Sequence, residues 1–277
     1  FSDLKSFKST LDSVGKSWNG PNERVGAGNE MVIKGEVVCK DVVVKFENSN
    51  ALDGLTLSIP ARTKVAVVGP SGAGKTTFLR LCQGFLRPNT GSMEIDGQNF
   101  RYLSLDNYRS QNTLIDGKPV FFGATIEENL RKVQPGISQR EFDEVLEISG
   151  LQKVLDQLPE GISTEINQFG MPLSQGDRVT LALARGLMAD PRILLIDEAL
   201  ANLDKSTQIS FFENFSKISE MKTVIMATHD LRSTAHFEQI IVLEKGVVVG
   251  QGTHDELLKT CELYQELWKM EKKLTGT

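Results

Sequence analysis

The sequence predicts an α/β fold with a mainly parallel sheet, an antiparallel β layer near the N-terminus and an inserted α-helical subdomain at about 125–190. Three observations predict it. "KVAVVG" is a short apolar run that leads straight into the glycine-rich "PSGAGKTT" and a helix-like stretch, as a buried parallel strand leads into its crossover helix. "RILLID" and "TVIMATH" are strands of the same kind, separated by the helical "KSTQISFFENFSKISE". Ahead of them, "EVVCKDVVVKF" and "LDGLTLSIP" alternate apolar and polar residues between polar turns, the pattern of antiparallel strands with one covered face.

The elements follow in order. Residues 1–18 place Leu4, Phe7, Leu11, Val14 and Trp18 three or four apart, which predicts a helix. "NGPNERVGAGNE" is rich in Gly, Asn and Pro and reads as a linker, so residues 1–30 are a helix and linker and residues 31–277 the main domain. Past the glycine-rich turn, "GSMEIDG" is a further alternating strand closed by a tight turn. From about 125 to 190 the pattern becomes helical. "SQREFDEVLEISGL" opens with a capping box from Ser138 to Glu141, and "QGDRVTLALARGLMADP" runs to a stop at Pro191. Parallel-strand character then returns. The chain closes with a hairpin, "QIIVLEKGVVVGQG", a helix capped at Thr253, and the terminal helix "LYQELWKMEKKL".

Composition narrows the function. The 277 residues suffice for a sizeable core. A net charge of -5 with interspersed acids and bases speaks against a nucleic-acid-binding surface. Cys39, Cys82 and Cys261 are scattered without CxxC spacing, as reduced core thiols in a cytosolic setting are. No apolar run approaches the roughly 18 residues of a membrane span.

The chemistry centres on "GPSGAGKTT", Gly69–Thr77, which matches the phosphate-binding P-loop pattern. Gly69, Pro70, Ser71, Gly72, Ala73 and Gly74 are small or turn-forming, so backbone N–H groups can wrap phosphates at a helix N-terminus. Lys75 is expected to reach the β- and γ-phosphates of a nucleotide and Thr76 to ligate Mg2+, with Thr77 completing the cradle. A glycine-rich turn with an incidental lysine is the bland alternative; the strand before and the helix after tell against it. In "ILLIDE", Asp197 ends an apolar run expected beside the P-loop strand, where a carboxylate can hold Mg2+. Glu198 is then placed to act as general base on an attacking water. His229 follows "TVIMAT", at a strand end of the same sheet where ligands bind, and is assigned a contact to the γ-phosphate or the water. Together these residues define a P-loop NTPase core. "PLSQGDRV" raises a separate question. Ser174 and Asp177 cap a helix whose start, with the bare backbone of Gly176, suits an anion, yet no anion source is evident beside it.

Taken in order, "GPSGAGKTT", "LSQGD", "RILLIDEALANLD" and "ATHD" resemble the motifs of the nucleotide-binding domain of ABC transporters, over about residues 36–258. The resemblance implies an ATP- and Mg2+-dependent ATPase working as a head-to-tail dimer. Ser174 and Gly176 would then meet the γ-phosphate of ATP held by a second, identical or homologous, domain. It also implies that Phe46 stacks on adenine, that Asp204 is the D-loop aspartate of the nucleotide site, and that His229 is the switch histidine. "FFGATIEENL" and "GTHDELL" look like exporter-type domains. That implies a transmembrane domain upstream, with the helix and linker at 1–30 as its tail, and a place at the cytoplasmic face of a membrane.

Two departures from the family pattern stand out. Gln175 and Asp177 replace a glycine and a glutamine of the signature, while Ser174 and Gly176 are retained. The family's Q-loop glutamine should lie five residues before Phe122, and Gly117 stands there in "LIDGKPVFF". The nearest upstream glutamine is Gln111, and Asp116 is the candidate substitute oxygen. The leading expectation is ATP hydrolysis driving transport. The alternative, favoured by the missing glutamine, is a nucleotide-dependent dimerisation module with little hydrolysis. An ABC-type ATPase of DNA maintenance is disfavoured, because no heptad segment for a coiled-coil insertion is present.

Overall fold

The computed structural model describes residues 28–46 and 49–275, so the helix expected over 1–18 and most of the linker lie outside the described residues. In chain order the described strands are β1 (Val37–Phe46), β2 (Ser49–Ile59), β3 (Lys64–Val68), β4 (Thr90–Ile95), β5 (Gln98–Asn99), β6 (Asn112–Asp116), β7 (Ala124–Thr125), β8 (Glu165–Ile166), β9 (Ile193–Asp197), β10 (Thr223–Ala227), β11 (Gln239–Glu244) and β12 (Val247–Gly252). The α-helices are α1 (Lys75–Cys82), α2 (Leu105–Arg109), α3 (Ile126–Arg131), α4 (Gln139–Ser149), α5 (Leu151–Leu155), α6 (Gln175–Met188), α7 (Lys205–Ile218), α8 (His254–Thr260) and α9 (Glu262–Thr275).

The fold is the α/β arrangement that the sequence predicts. One sheet is antiparallel, in the order β2-β1-β4-β5. The other has the order β12-β11-β3-β10-β9-β6, parallel except for β12 at its edge. Its central strands are buried on both faces, and alternate side chains enter different cores because successive residues of a strand point to opposite sides. Val65, Val67, Leu195 and Ile225 face α1 and the antiparallel layer. Ala66, Val68, Leu194 and Met226 face the helical segment, packing with Phe142, Leu146 and Leu183. The P-loop helix is thus held between the two sheets, and α4 and α6 cover the opposite face.

Local signals set the helix starts. α3, α4, α6 and α8 each open with a reciprocal capping box, at Thr125/Glu128, Ser138/Glu141, Ser174/Asp177 and Thr253/Glu256. Each cap satisfies two amide donors that the helix itself leaves unpaired. Gly186 lets α6 lie close on β6: a Cβ there would stand 3.0 Å from Thr113 Cγ2 and 3.3 Å from Ile115. The three cysteines are free and buried, and burial pushes the Cys39 thiol up to about 12.

One expectation is corrected. β9 does not lie beside β3, because β10 is inserted between them, pairing with β3 through Val224–Ala227 and with β9 through Thr223–Ala227. Apolar runs reveal buried parallel strands but not their order, which crossover packing decides. β6 and α2 are not anticipated by periodicity either. "NTLID" is polar at both ends, and α2 is a single short turn.

Candidate functional site

The P-loop leaves the C-terminal end of β3 and is anchored from behind by backbone. A Cβ on Gly69 would come 2.2 Å from the Leu243 carbonyl of β11, so only glycine fits there. The Gly246 N–H donates to Ala73 O at 2.9 Å, pinning the loop to the β11–β12 turn. Ala73 is buried, while Ser71 and Gly72 lie exposed at the tip and Thr77 is half-buried in the first turn of α1.

Lys75 is the first residue of α1 and is only 4% exposed. Its ammonium donates to Gly69 O at 3.0 Å and Pro70 O at 3.3 Å, and lies 3.5 Å from Glu198 Oε1 and 3.3 Å from His229 Nε2. Thr76, next along the helix, donates from Oγ1 to Asp197 Oδ1 at 3.1 Å. Glu198 and His229 meet at 2.8 Å. Glu198 stands in a left-handed conformation, φ 51°, and its N–H donates to Ala227 O at 3.0 Å, so the neighbouring strand fixes the turn that aims its carboxylate. Five side chains from α1, the end of β9 and the segment after β10 therefore converge.

The electrostatics of the cluster favour ligands of both signs. Burial lowers the Lys75 ammonium from its ordinary range, and Glu198 opposes that shift. Burial raises the Asp197 carboxyl; the Thr76 hydrogen bond works against this, while the charges of Glu198 and Asp116 add to it. An anion at Lys75 and a cation at Asp197 would each relieve a desolvation cost. Among the described residues no group of three or more His, Cys, Asp or Glu side chains is arranged to hold a metal alone. One hydroxyl beside one carboxylate is the hard-oxygen pair that Mg2+ uses when substrate phosphates complete its shell, so Thr76 and Asp197 fit that ion.

Other residues named from sequence lie apart from this cluster. Ser174 caps α6, its Oγ accepting from the Asp177 N–H at 3.2 Å and donating to Asp177 Oδ2 at 2.6 Å. Ser174 and Gly176 share no hydrogen bond with the cluster among the described residues. Asp204 caps α7, and hydrogen bonds from Ser206 and Thr207 hold its carboxyl well below the usual range. Phe46 stands 46% exposed at the end of β1.

The Q-loop region is reorganised. Gln111 is committed to structure: its Oε1 accepts from the Ile33 N–H at 3.0 Å and its Nε2 donates to Met31 O at 2.7 Å. Asp116 pairs in register with Asp197 across β6 and β9, and its Oδ1 accepts from the Lys118 N–H at 2.9 Å. Sequence reasoning missed this adjacency, although "LID" ends both strands. It also missed the bond from Gln175 Nε2 to Gly117 O at 2.8 Å, for which a sequence separation of 58 offers no signal.

A phosphate loop at the C-terminal end of a parallel sheet, with an acid-ended strand and a histidine converging on its lysine, defines the P-loop class of nucleotide-binding proteins. The chain belongs to the ABC transporter family, whose model matches residues 52–201. It is 30% identical over 244 residues to the uncharacterized ABC transporter ATP-binding protein YfiC of Bacillus subtilis (strain 168), covering 88% of this chain and 40% of that protein. It is 34% identical over 248 residues to the mitochondrial iron-sulfur clusters transporter atm1 of Neurospora crassa, covering 87% of this chain and 35% of that one. Among solved structures, a bacterial Atm1-family ABC exporter with ATP bound superposes with a TM-score of 0.85 at 32% identity, covering 90% of this chain and 44% of that chain. The chain thus spans about two fifths of the length of these relatives. No described helix is long and apolar enough to cross a membrane.

Proposed function

We propose that this chain is the ATP-binding and ATP-hydrolysing motor domain of an ABC exporter, working as a head-to-tail dimer at the cytoplasmic face of a membrane. The observation that carries the proposal is the convergence of Lys75, Thr76, Asp197, Glu198 and His229 within hydrogen-bonding reach. The P-loop amides and Lys75 bind and orient the phosphates of ATP. Thr76 and Asp197 hold Mg2+, which when bound neutralises charge on the phosphate oxygens. Glu198 takes the proton of the attacking water, and His229, hydrogen-bonded to Glu198, keeps that carboxylate aimed. Lys75 offsets the charge that develops on the transferred phosphoryl group.

Ser174 and Gly176 lie outside this cluster, which supports a role for them on ATP held by a second copy or a homologous domain. A transmembrane partner would dock at the cleft of about 600 Å³ between the parallel sheet and the helical segment, lined by Phe85, Asp116, Lys118, Val120 and Arg185. Phe85 and Val120 are 59% and 63% exposed there, apolar surface suited to burial against a partner.

The second reading, a dimerisation module with little hydrolysis, is favoured by Gly117 at the Q-loop position and by the structural commitment of Gln111. Steady-state turnover of Glu198→Gln separates the two. The motor reading expects a fall of about 10²–10⁴-fold with ATP binding retained. A turnover unchanged by the substitution refutes Glu198 as base and leaves the module reading.

A further inference from the structure

We infer that Gln175 is a positioning residue that ties the start of α6 to the end of β6 and so sets where Ser174 and Gly176 stand. The inference rests on the nucleotide reading above and adds a residue that reading does not use. Gln175 is the first residue of α6, directly after the capping Ser174. Its amide donates to the carbonyl of Gly117, a buried residue directly after Asp116. Asp116 is in turn the in-register neighbour of Asp197. One side chain thus spans from the magnesium-side strand ends to the helix start that would face a partner's ATP.

A second bond reinforces the tie. Arg185, further along α6, donates to Val120 O at 2.8 Å, with its guanidinium over the Phe121 ring at 5.0 Å. The two donors are ten residues apart, about 15 Å along the helix. Residues 117–120 are therefore fastened to α6 at two points, so a shift of that segment either breaks one of these bonds or moves the helix with it.

Chemically, two of the residues that depart from the family pattern, Gln175 and Gly117, are the two ends of one hydrogen bond. A glycine at 175 has no side-chain donor, and Gly117 has no carboxamide to offer. The chain places the carboxamide on the helix instead of the loop and keeps a bridge between the sheet and the helical segment.

The test compares Gln175→Met and Gln175→Glu with wild type. Both are close in size to glutamine and lack the amide donor. Methionine is as good a helix former, and an acid in the first turn suits the helix dipole, so neither weakens α6. Three quantities are read: amide hydrogen exchange across residues 117–121, ATP affinity at single-chain dilution, and turnover with its cooperativity. Both variants are expected to exchange faster in that segment. Both should keep ATP affinity and lose turnover about five- to tenfold, as the loss of one neutral hydrogen bond carries. Unchanged exchange in Gln175→Met, or a turnover loss confined to Gln175→Glu, overturns the inference; the latter result would assign the effect to charge. If wild type itself shows no ATP turnover, the motor reading fails instead, and the exchange measurement still decides the tie.

Discussion

Replacing Gly74 with alanine perturbs the P-loop where its backbone passes closest to β2. Gly74 has φ 104° and ψ 4° as the cap of α1. An added Cβ would stand 2.6 Å from Ala51 O and 3.0 Å from Leu52 Cδ2. Left-handed backbone costs a non-glycine residue roughly 1–2 kcal/mol. Ala51 O belongs to a paired strand, so relief needs a backbone shift, at the roughly 1–3 kcal/mol of overpacking. Alanine returns about 0.4–1 kcal/mol by restricting the unfolded chain. The net loss is about 1–5 kcal/mol. Gly72 is the internal control: its φ is 78°, yet nothing lies within 4 Å of an added Cβ. Gly72→Ala should therefore lack the overpacking cost and lose only about 0–1.5 kcal/mol. Urea denaturation followed by circular dichroism reads both. Because Gly74 precedes Lys75, ATP affinity should fall with stability in the Gly74 variant. Equal losses for the two variants, within about 0.5 kcal/mol, would refute the close approach as the cause.

Burial holds the Asp197 carboxyl above its ordinary range, so the folded state binds that proton more tightly than the unfolded state. The stability this provides is present below the ordinary carboxylate pKa and is lost as pH rises through the folded value, because ionisation then leaves a costly buried charge. Asp197→Asn should match or exceed the wild-type Tm without nucleotide and lose the Tm rise that Mg-ATP gives wild type; a lower nucleotide-free Tm would contradict this. Ser174→Arg should lose about 1 kcal/mol with the helix cap and leave single-chain ATP affinity intact, while abolishing cooperative turnover. A fall in single-chain affinity would mean that α6 faces its own nucleotide.

Much of this architecture is legible because it is locally encoded. The runs ending in Val68, Asp197 and Ala227 are short, apolar and bounded by polar turns, so each reads as a buried strand. The candidate site residues sit at or just past those strand ends, which is why Lys75, Thr76, Asp197, Glu198 and His229 can be picked out together. Strand order is not local. Nothing in "TVIMA" says that it will separate β3 from β9, because that choice is made when crossover helices pack. β6 is hidden by its polar ends, and with it the adjacency of Asp116 to Asp197. The Gln175–Gly117 bond depends on where α6 lands against β6, which the close approach at Gly186 governs.

The insertion of β10 between β3 and β9 has a consequence for how this site can evolve. The P-loop strand and the acid-ended strand stand two strand spacings apart, roughly 9.6 Å, with the histidine-bearing strand between them. That interval is a property of threading, not of side chains. Substitutions can change what lines the slot, but a wider one would require a different path of the chain through the sheet. Adaptation here falls to strand ends and helix starts, which is where the unusual residues Gly117, Gln175 and Asp177 are found.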